Sequence, residues 1–116
     1  MIEVYHNPRC GKSRNCLAFL ENTNQEYKVI KYLEEVPSAQ ELRAVLEKLN
    51  IKPIELVRQK EKIWTEQFKG QNLTDEAVIE AMIQNPILIE RPIIIKGNKA
   101  IIAREMDKIE AFFEAE

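Results

Sequence analysis

The sequence has one histidine, two cysteines and no apolar run approaching the roughly 18 residues that a spanning helix needs. Cys10 and Cys16 stand six apart, which fits neither a zinc knuckle nor a disulfide-rich secreted framework, and with one histidine a structural metal site is not expected. Charge of one sign is lacking too: 17 basic residues against 19 acidic ones leave a net charge of −2, so the chain is not built to cover nucleic acid and any positive field must be local. The opening Met1-Ile2-Glu3 is strand-like and does not resemble a secretory signal. Repeats, low-complexity tracts and disordered linkers are missing. What remains is one domain over residues 1–116, expected to be cytosolic, away from membranes, with a core of its own.

The periodicities order that domain. Ile2 to Tyr5 reads as a strand, His6-Asn7-Pro8 as a turn, and Cys10 to Asn22 as a helix with Cys16, Leu17, Phe19 and Leu20 on one side. Tyr27 to Leu33, rich in aromatic and β-branched residues, reads as a second strand; strand, helix and strand in about 30 residues make a βαβ unit with parallel strands. A helical insertion follows at about 38–85. It opens on the capping box Ser38-Ala39-Gln40-Glu41 before the stripe Leu42, Val45, Leu46, Leu49. Short helices are predicted at Pro53 to Gln59 and Ile63 to Phe68, and a longer one after Thr74, carrying Val78, Ile79, Met82 and Ile83 and stopping before Asn85-Pro86. Ile93-Ile94-Ile95, the turn Gly97-Asn98 and Ala100 to Ala103 form a hairpin, and Glu105 to Phe113 a closing amphipathic helix. The order βαβ, helical insertion, ββα is that of an α/β thioredoxin-like fold with a small mixed four-stranded sheet flanked by helices.

Such folds place their chemistry where the first strand meets the first helix, and there the chain reads His6-Asn7-Pro8-Arg9-Cys10-Gly11-Lys12-Ser13-Arg14. No acidic residue occurs from Val4 to Leu20. A thiolate is the reactive form of cysteine, and helix-start amides together with nearby cations stabilise it. The amides of Gly11, Lys12 and Ser13 would face the sulfur of Cys10 or an anion bound beside it, and Gly11 lets a ligand approach the backbone closely. A lone cysteine is otherwise a small buried hydrophobe, which is the reading for Cys16: six helical residues are roughly 240° and about 9 Å of rise, so its sulfur meets Cys10 only if the helix unwinds, and a role as redox partner is the alternative left open. Ser13 stands where a Cys-x-x-Cys motif would have its second thiol, so that thiol is expected from another molecule.

Tyr5 to Asn15, together with Arg58 in Leu56-Val57-Arg58-Gln59-Lys60, Glu90-Arg91-Pro92-Ile93 and Ala103-Arg104, resembles the glutaredoxin-dependent arsenate reductase family, in order and nearly end to end. The resemblance implies that Cys10 attacks arsenate, that glutathione enters as co-substrate and glutaredoxin as partner, that no cofactor is tightly bound, and that arsenite leaves. It implies an oxyanion site of Arg58, Arg91 and Arg104, with His6 and Ser13 assisting the thiolate and Gly11, Lys12 and Arg14 shaping its field. Guanidinium forks suit a tetrahedral anion, although an average arginine is a solvated surface charge. His6 reads equally as a turn residue and Ser13 as a backbone-satisfying hydroxyl. Arg91-Pro92 is a candidate cis bond, since thioredoxin-like folds resemble one another in placing a cis-proline beside the active cysteine. A monomer is expected. Two alternatives stay open: a related thiol oxidoreductase with another substrate, and a non-enzymatic regulator resembling the polymerase-binding branch of the superfamily.

Overall fold

Four short strands and their register decide where the chemistry of the chain can sit. In a computed structural model, which describes residues 2–23 and 25–114, the chain divides into two compact units, Met1–Glu35 with Arg91–Glu116, and Val36–Glu90. Met1, Asn24, Ala115 and Glu116, and with them the ends of the expected 1–116 domain, lie outside the described residues.

The first unit is built on a four-stranded mixed sheet of order β2-β1-β3-β4. Strands β1 (Ile2–Tyr5) and β2 (Tyr27–Ile30) run parallel, joined by α1 (Gly11–Glu21). Strand β3 (Ile93–Lys96) is antiparallel to β1 and to β4 (Lys99–Ile102), and α5 (Met106–Glu114) follows. One core cluster gathers Ile2 and Val4 of β1, Cys16 and Leu20 of α1, Ile94 of β3, Ala103, and Ile109 of α5. Alternation along β1 puts Ile2 and Val4 on that face, and the helices bury their apolar stripes against it. Ile93, Ile94 and Ile95 are all buried, as a continuous apolar strand requires. This is the thioredoxin-like arrangement expected from the element order.

Strand β2 stops at Ile30, three residues before the predicted Leu33. Its partner β1 has turned away by then: His6 N–H takes the Ile30 carbonyl at 2.9 Å, and the Lys31 carbonyl instead accepts from Glu34 and Glu35 at 2.9 and 2.8 Å. Tyr32 is nevertheless fully buried and stacks on Tyr5 with ring centroids 6.2 Å apart. The aromatic pattern marked burial beyond the end of pairing.

The second unit is helical. Helix α2 (Ala39–Leu49) starts with the predicted capping box, Ser38 Oγ accepting from Glu41 N–H at 3.1 Å and Glu41 Oε1 from Ser38 N–H at 3.0 Å. It packs on α4 (Asp75–Gln84), where Arg43 of one helix pairs with Glu76 of the other; α3 (Lys62–Gln67) buries Trp64. The short helix expected at Pro53 to Gln59 is a 3₁₀ turn over Pro53–Leu56 only. Beyond it Val57 is extended and bridges Ile89, with Arg58 N–H donating to the Leu88 carbonyl at 2.7 Å and Glu90 N–H to that of Leu56 at 2.9 Å.

Candidate active site

In the first unit the exits of β1, β2 and β4 and the entry of β3 share one end of the sheet. Tyr5 pairs with Ile93 and Ile93 with Ile102, and Ala103 N–H continues the register by donating to the Pro92 carbonyl at 2.7 Å. The next residues along these chains are His6, Arg91 and Arg104. The Arg91-Pro92 peptide bond, a candidate for cis by the likeness to thioredoxin-like folds, is cis. Helix α1 begins at the same end, since the turn after β1 leads straight into it.

That turn is held by three bonds to one buried residue. Asn7 accepts at its carbonyl from Cys10 N–H at 3.0 Å and at Oδ1 from Arg9 N–H at 3.0 Å, and its own N–H donates to Ser13 Oγ at 3.4 Å. Asn7 and Ser13 are both buried. The result is a fixed N-cap: Cys10 has extended backbone angles (φ −95°, ψ 124°), and its carbonyl accepts the first helical bond, from Arg14 N–H at 3.1 Å. Asn7 escaped the sequence reading because a polar residue before proline signals only a turn.

Cys10 is partly exposed, and Arg91 is buried beside it. Burial pushes the Cys10 thiol up; the amide of Ser13, the guanidinium of Arg91 and the amide of Lys12 together outweigh this and hold it below its ordinary value. Ser13 thus acts on the sulfur through its backbone N–H, while its hydroxyl ties the loop to Asn7. Cys16 is the opposite case: buried in the core cluster with no compensating charge, its thiol is pushed up to about 11.

His6 is buried, and its Nδ1 has no hydrogen-bond partner among the described residues. Desolvation first, then the charges of Lys31 and Arg14, lower its pKa, so the ring is neutral near pH 7. A neutral ring offers no positive charge to the thiolate, and the groups that lower the Cys10 thiol are Ser13, Arg91 and Lys12.

Gly11, Lys12 and Arg14 are exposed, Arg14 Nη1 donating to the Pro8 carbonyl at 3.0 Å. A Cβ at Gly11 would meet Arg14 Nη2 at 3.7 Å, an ordinary contact, so the chain itself does not require glycine there. Arg104 is half-buried; the Glu105 carboxylate next to it pairs with Lys108 at 3.5 Å. Arg58 belongs to the second unit, where its guanidinium lies 3.3 Å from Glu61 and 3.6 Å from Glu90. A cleft of about 610 Å³ between α2 and α4 in that unit is lined by Arg43, Leu46, Ile51, Lys52 and Ile79 among others, and carries no cysteine or histidine. Among the described residues no three His, Cys, Asp or Glu side chains converge as metal ligands, and no helix is long and apolar enough to cross a membrane.

The chain has relatives among known proteins. Residues 5–112 match the model of the ArsC family. The uncharacterized protein YfgD of Escherichia coli is 41% identical over 110 residues, covering 93% of this chain and 92% of its own. An arsenate reductase of Neisseria meningitidis is 36% identical over 112 residues, covering 95% and 96%. Among solved structures, an arsenate reductase from Vibrio cholerae superposes with a TM-score of 0.89 at 38% identity, over 95% of each chain. With the family model matched over residues 5–112 and relatives at 36–41% identity over nearly the whole length, the chain belongs to the ArsC family.

Proposed function

We propose that this protein is an arsenate reductase whose nucleophile is Cys10, acting with glutathione and glutaredoxin as external reductants. The observation that carries the reading is the setting of one sulfur: Cys10 caps α1, partly exposed, its thiolate favoured by two helix-start amides and a buried guanidinium. The relatives named arsenate reductase over nearly the full length supply the substrate.

In the first step the Cys10 thiolate attacks arsenic and a hydroxyl leaves as water, forming an S–As(V) bond. Arg91 and Arg104 hold the oxyanion in this scheme and offset the repulsion between an anionic nucleophile and an anionic substrate. A glutathione thiolate then attacks Cys10 Sγ. The S–As bond breaks with its electron pair staying on arsenic, which leaves as arsenite, while Cys10 and glutathione become a mixed disulfide. Glutaredoxin thiol attacks the glutathione sulfur and returns Cys10 as thiolate. Two thiols have lost two electrons and arsenic has gained them.

The need for an outside thiol follows from Cys16, the chain's other cysteine, which is buried and protonated at neutral pH. The Ser13 amide forms part of the thiolate's cradle, and His6 walls the turn that precedes it. Lys12 and Arg14 contribute field, and Gly11 leaves the loop open to the anion. We place the protein in the reducing cytosol, as a monomer with no bound cofactor.

The test is arsenate-dependent oxidation of reduced glutathione, followed by mass spectrometry of the protein. Turnover that vanishes in Cys10→Ser, falls steeply in Arg91→Ala and Arg104→Ala, and leaves a glutathione adduct on Cys10 alone is the expected result. Arg58→Ala tests the third arginine of the sequence resemblance. A mixed disulfide with no arsenate turnover would mean a thiol oxidoreductase for another substrate.

A further inference from the structure

We propose that the cavity beside the Cys10 loop is a seat for a carboxylate of the small thiol that resolves the Cys10 adduct, separate from the cations that hold arsenate. This rests on the reductase reading for the identity of the thiol, and on the geometry of the first unit for the seat.

The cavity, about 260 Å³, lies between the turn that leaves β1 and the turn that leaves β2, and is lined by His6, Asn7, Pro8, Arg9, Lys31, Leu33 and Glu34. Neighbouring parallel strands bring their carboxyl ends side by side, and the space outside those ends is where α/β sheets bind ligands. Arg91 and Arg104 are not among its walls. Two cations, Arg9 and Lys31, face one carboxylate, Glu34, so the field favours an anion. His6 forms a wall with only 5% of its surface exposed, and its Nδ1 lacks a partner among the described residues. A buried polar atom in that state is short of a hydrogen bond that a ligand can supply. Pro8 and Leu33 offer apolar contact to a methylene.

Size and reach limit the occupant. The volume falls just below the range of about 300–1,000 Å³ that encloses a whole drug-sized ligand, and suits one arm of a tripeptide. Arg9 directly precedes Cys10, and the Asn7 carbonyl holds Cys10 N–H at 3.0 Å, so the cavity wall continues into the nucleophile's own turn. A two-residue arm spans about 7 Å when extended, which lets the sulfur meet Cys10 while its carboxylate enters the cavity. The carboxylate takes no part in the electron transfer. It fixes the attacking thiol, and its loss is felt in KM for that thiol.

The chain's single histidine reports on the seat directly. S-methylglutathione, which cannot form a disulfide, is titrated into the protein while the His6 ring resonances are followed by NMR. A saturable shift is expected, with the ring titrating at higher pH when the probe is bound, because an added carboxylate opposes the influence of Lys31 and Arg14. The diester of the same probe and the Arg9→Ala/Lys31→Ala variant should each weaken binding about tenfold, as loss of charge-assisted contacts predicts. Both side chains are exposed, and the bond from Arg9 to Asn7 uses the backbone N–H, so the variant keeps its loop. In turnover the variant should raise KM for glutathione about tenfold, and by a clearly larger factor than KM for arsenate, which feels Arg9 only as part of the loop's field. No shift at saturating probe, an equal response to the diester, or equal displacement by inorganic phosphate overturns the proposal. A wild-type protein without arsenate-dependent turnover defeats the reductase reading instead, and the titration still decides the seat.

Discussion

At the scale of single residues, two buried polar groups stand behind the reactive one. Asn7 spends its carbonyl, its amide oxygen and its N–H on the turn that presents Cys10. Asn7→Ala removes the acceptor for Arg9 N–H and loosens the cap; a cost of about 1–2 kcal/mol in urea denaturation is expected. The pH midpoint of Cys10 alkylation by iodoacetamide should also move up toward that of a free thiol, a change that a merely structural residue would not produce. His6 gives a pH dependence of stability. Its folded pKa lies below the ordinary 6.5, so above 6.5 the ring is neutral in both states and its share of stability is fully present. As pH falls below 6.5 toward the folded value, the unfolded chain takes up a proton that the folded one refuses, and stability declines. Urea midpoints measured from pH 7.5 to pH 5.5 should fall in the wild type and lose that component in His6→Gln. Cys10 was legible from its neighbours, because an unbroken absence of acids around a thiol at a helix start is a local fact. Asn7 and Arg91 were not legible in the same way: what each touches is fixed only when α1 has brought Ser13 back over the turn and β3 has docked against β1.

At the scale of elements, the hairpin that carries Arg91 and Arg104 depends on one glycine. Gly97 has φ +61° and its turn partner Asn98 is not in the left-handed region, the pattern of a II′ turn with glycine first. A Cβ at Gly97 would meet nothing within 4 Å, so the cost of Gly97→Ala is one of backbone conformation alone, about 1–2 kcal/mol. Gly11→Ala makes the contrast: the position is helical and free of clash, so a gain of about 0.5–1 kcal/mol is expected from the same denaturation experiment. Opposite signs at two exposed glycines would show that conformation, not contact, governs both. The turn, the capping box of α2 and the helix ends were readable from sequence because each is signalled by residues within a few positions of it. The end of β2 and the extended Val57 were not, because strand length is set by what the neighbouring chain does: β1 leaves at His6, and Ile89 arrives from about 30 residues downstream.

At the scale of the whole molecule, net charge and site charge disagree in sign. The chain as a whole carries −2, which weakly repels an anion approaching from a distance. Around Cys10, the run from Val4 to Leu20 holds Arg9, Lys12 and Arg14 and no acid, and Arg91 is buried beside the sulfur. Coulomb interactions with a small ligand at the loop are therefore dominated by the near cations, while the distant acids are seen through solvent and salt. Two alkylating agents of similar size separate this field from intrinsic thiol reactivity, since iodoacetate is an anion and iodoacetamide is neutral. The ratio of their rates at Cys10 should exceed the ratio for free glutathione at low salt. Raising ionic strength from about 0.01 M to 1 M shortens the screening length from about 30 Å to about 3 Å. Over that range the ratio of the iodoacetate rate to the iodoacetamide rate should fall, through the iodoacetate rate, with the iodoacetamide rate nearly constant. A ratio that rises with salt would mean that the global negative charge reaches the sulfur, and would remove the electrostatic basis for an anionic substrate at this loop.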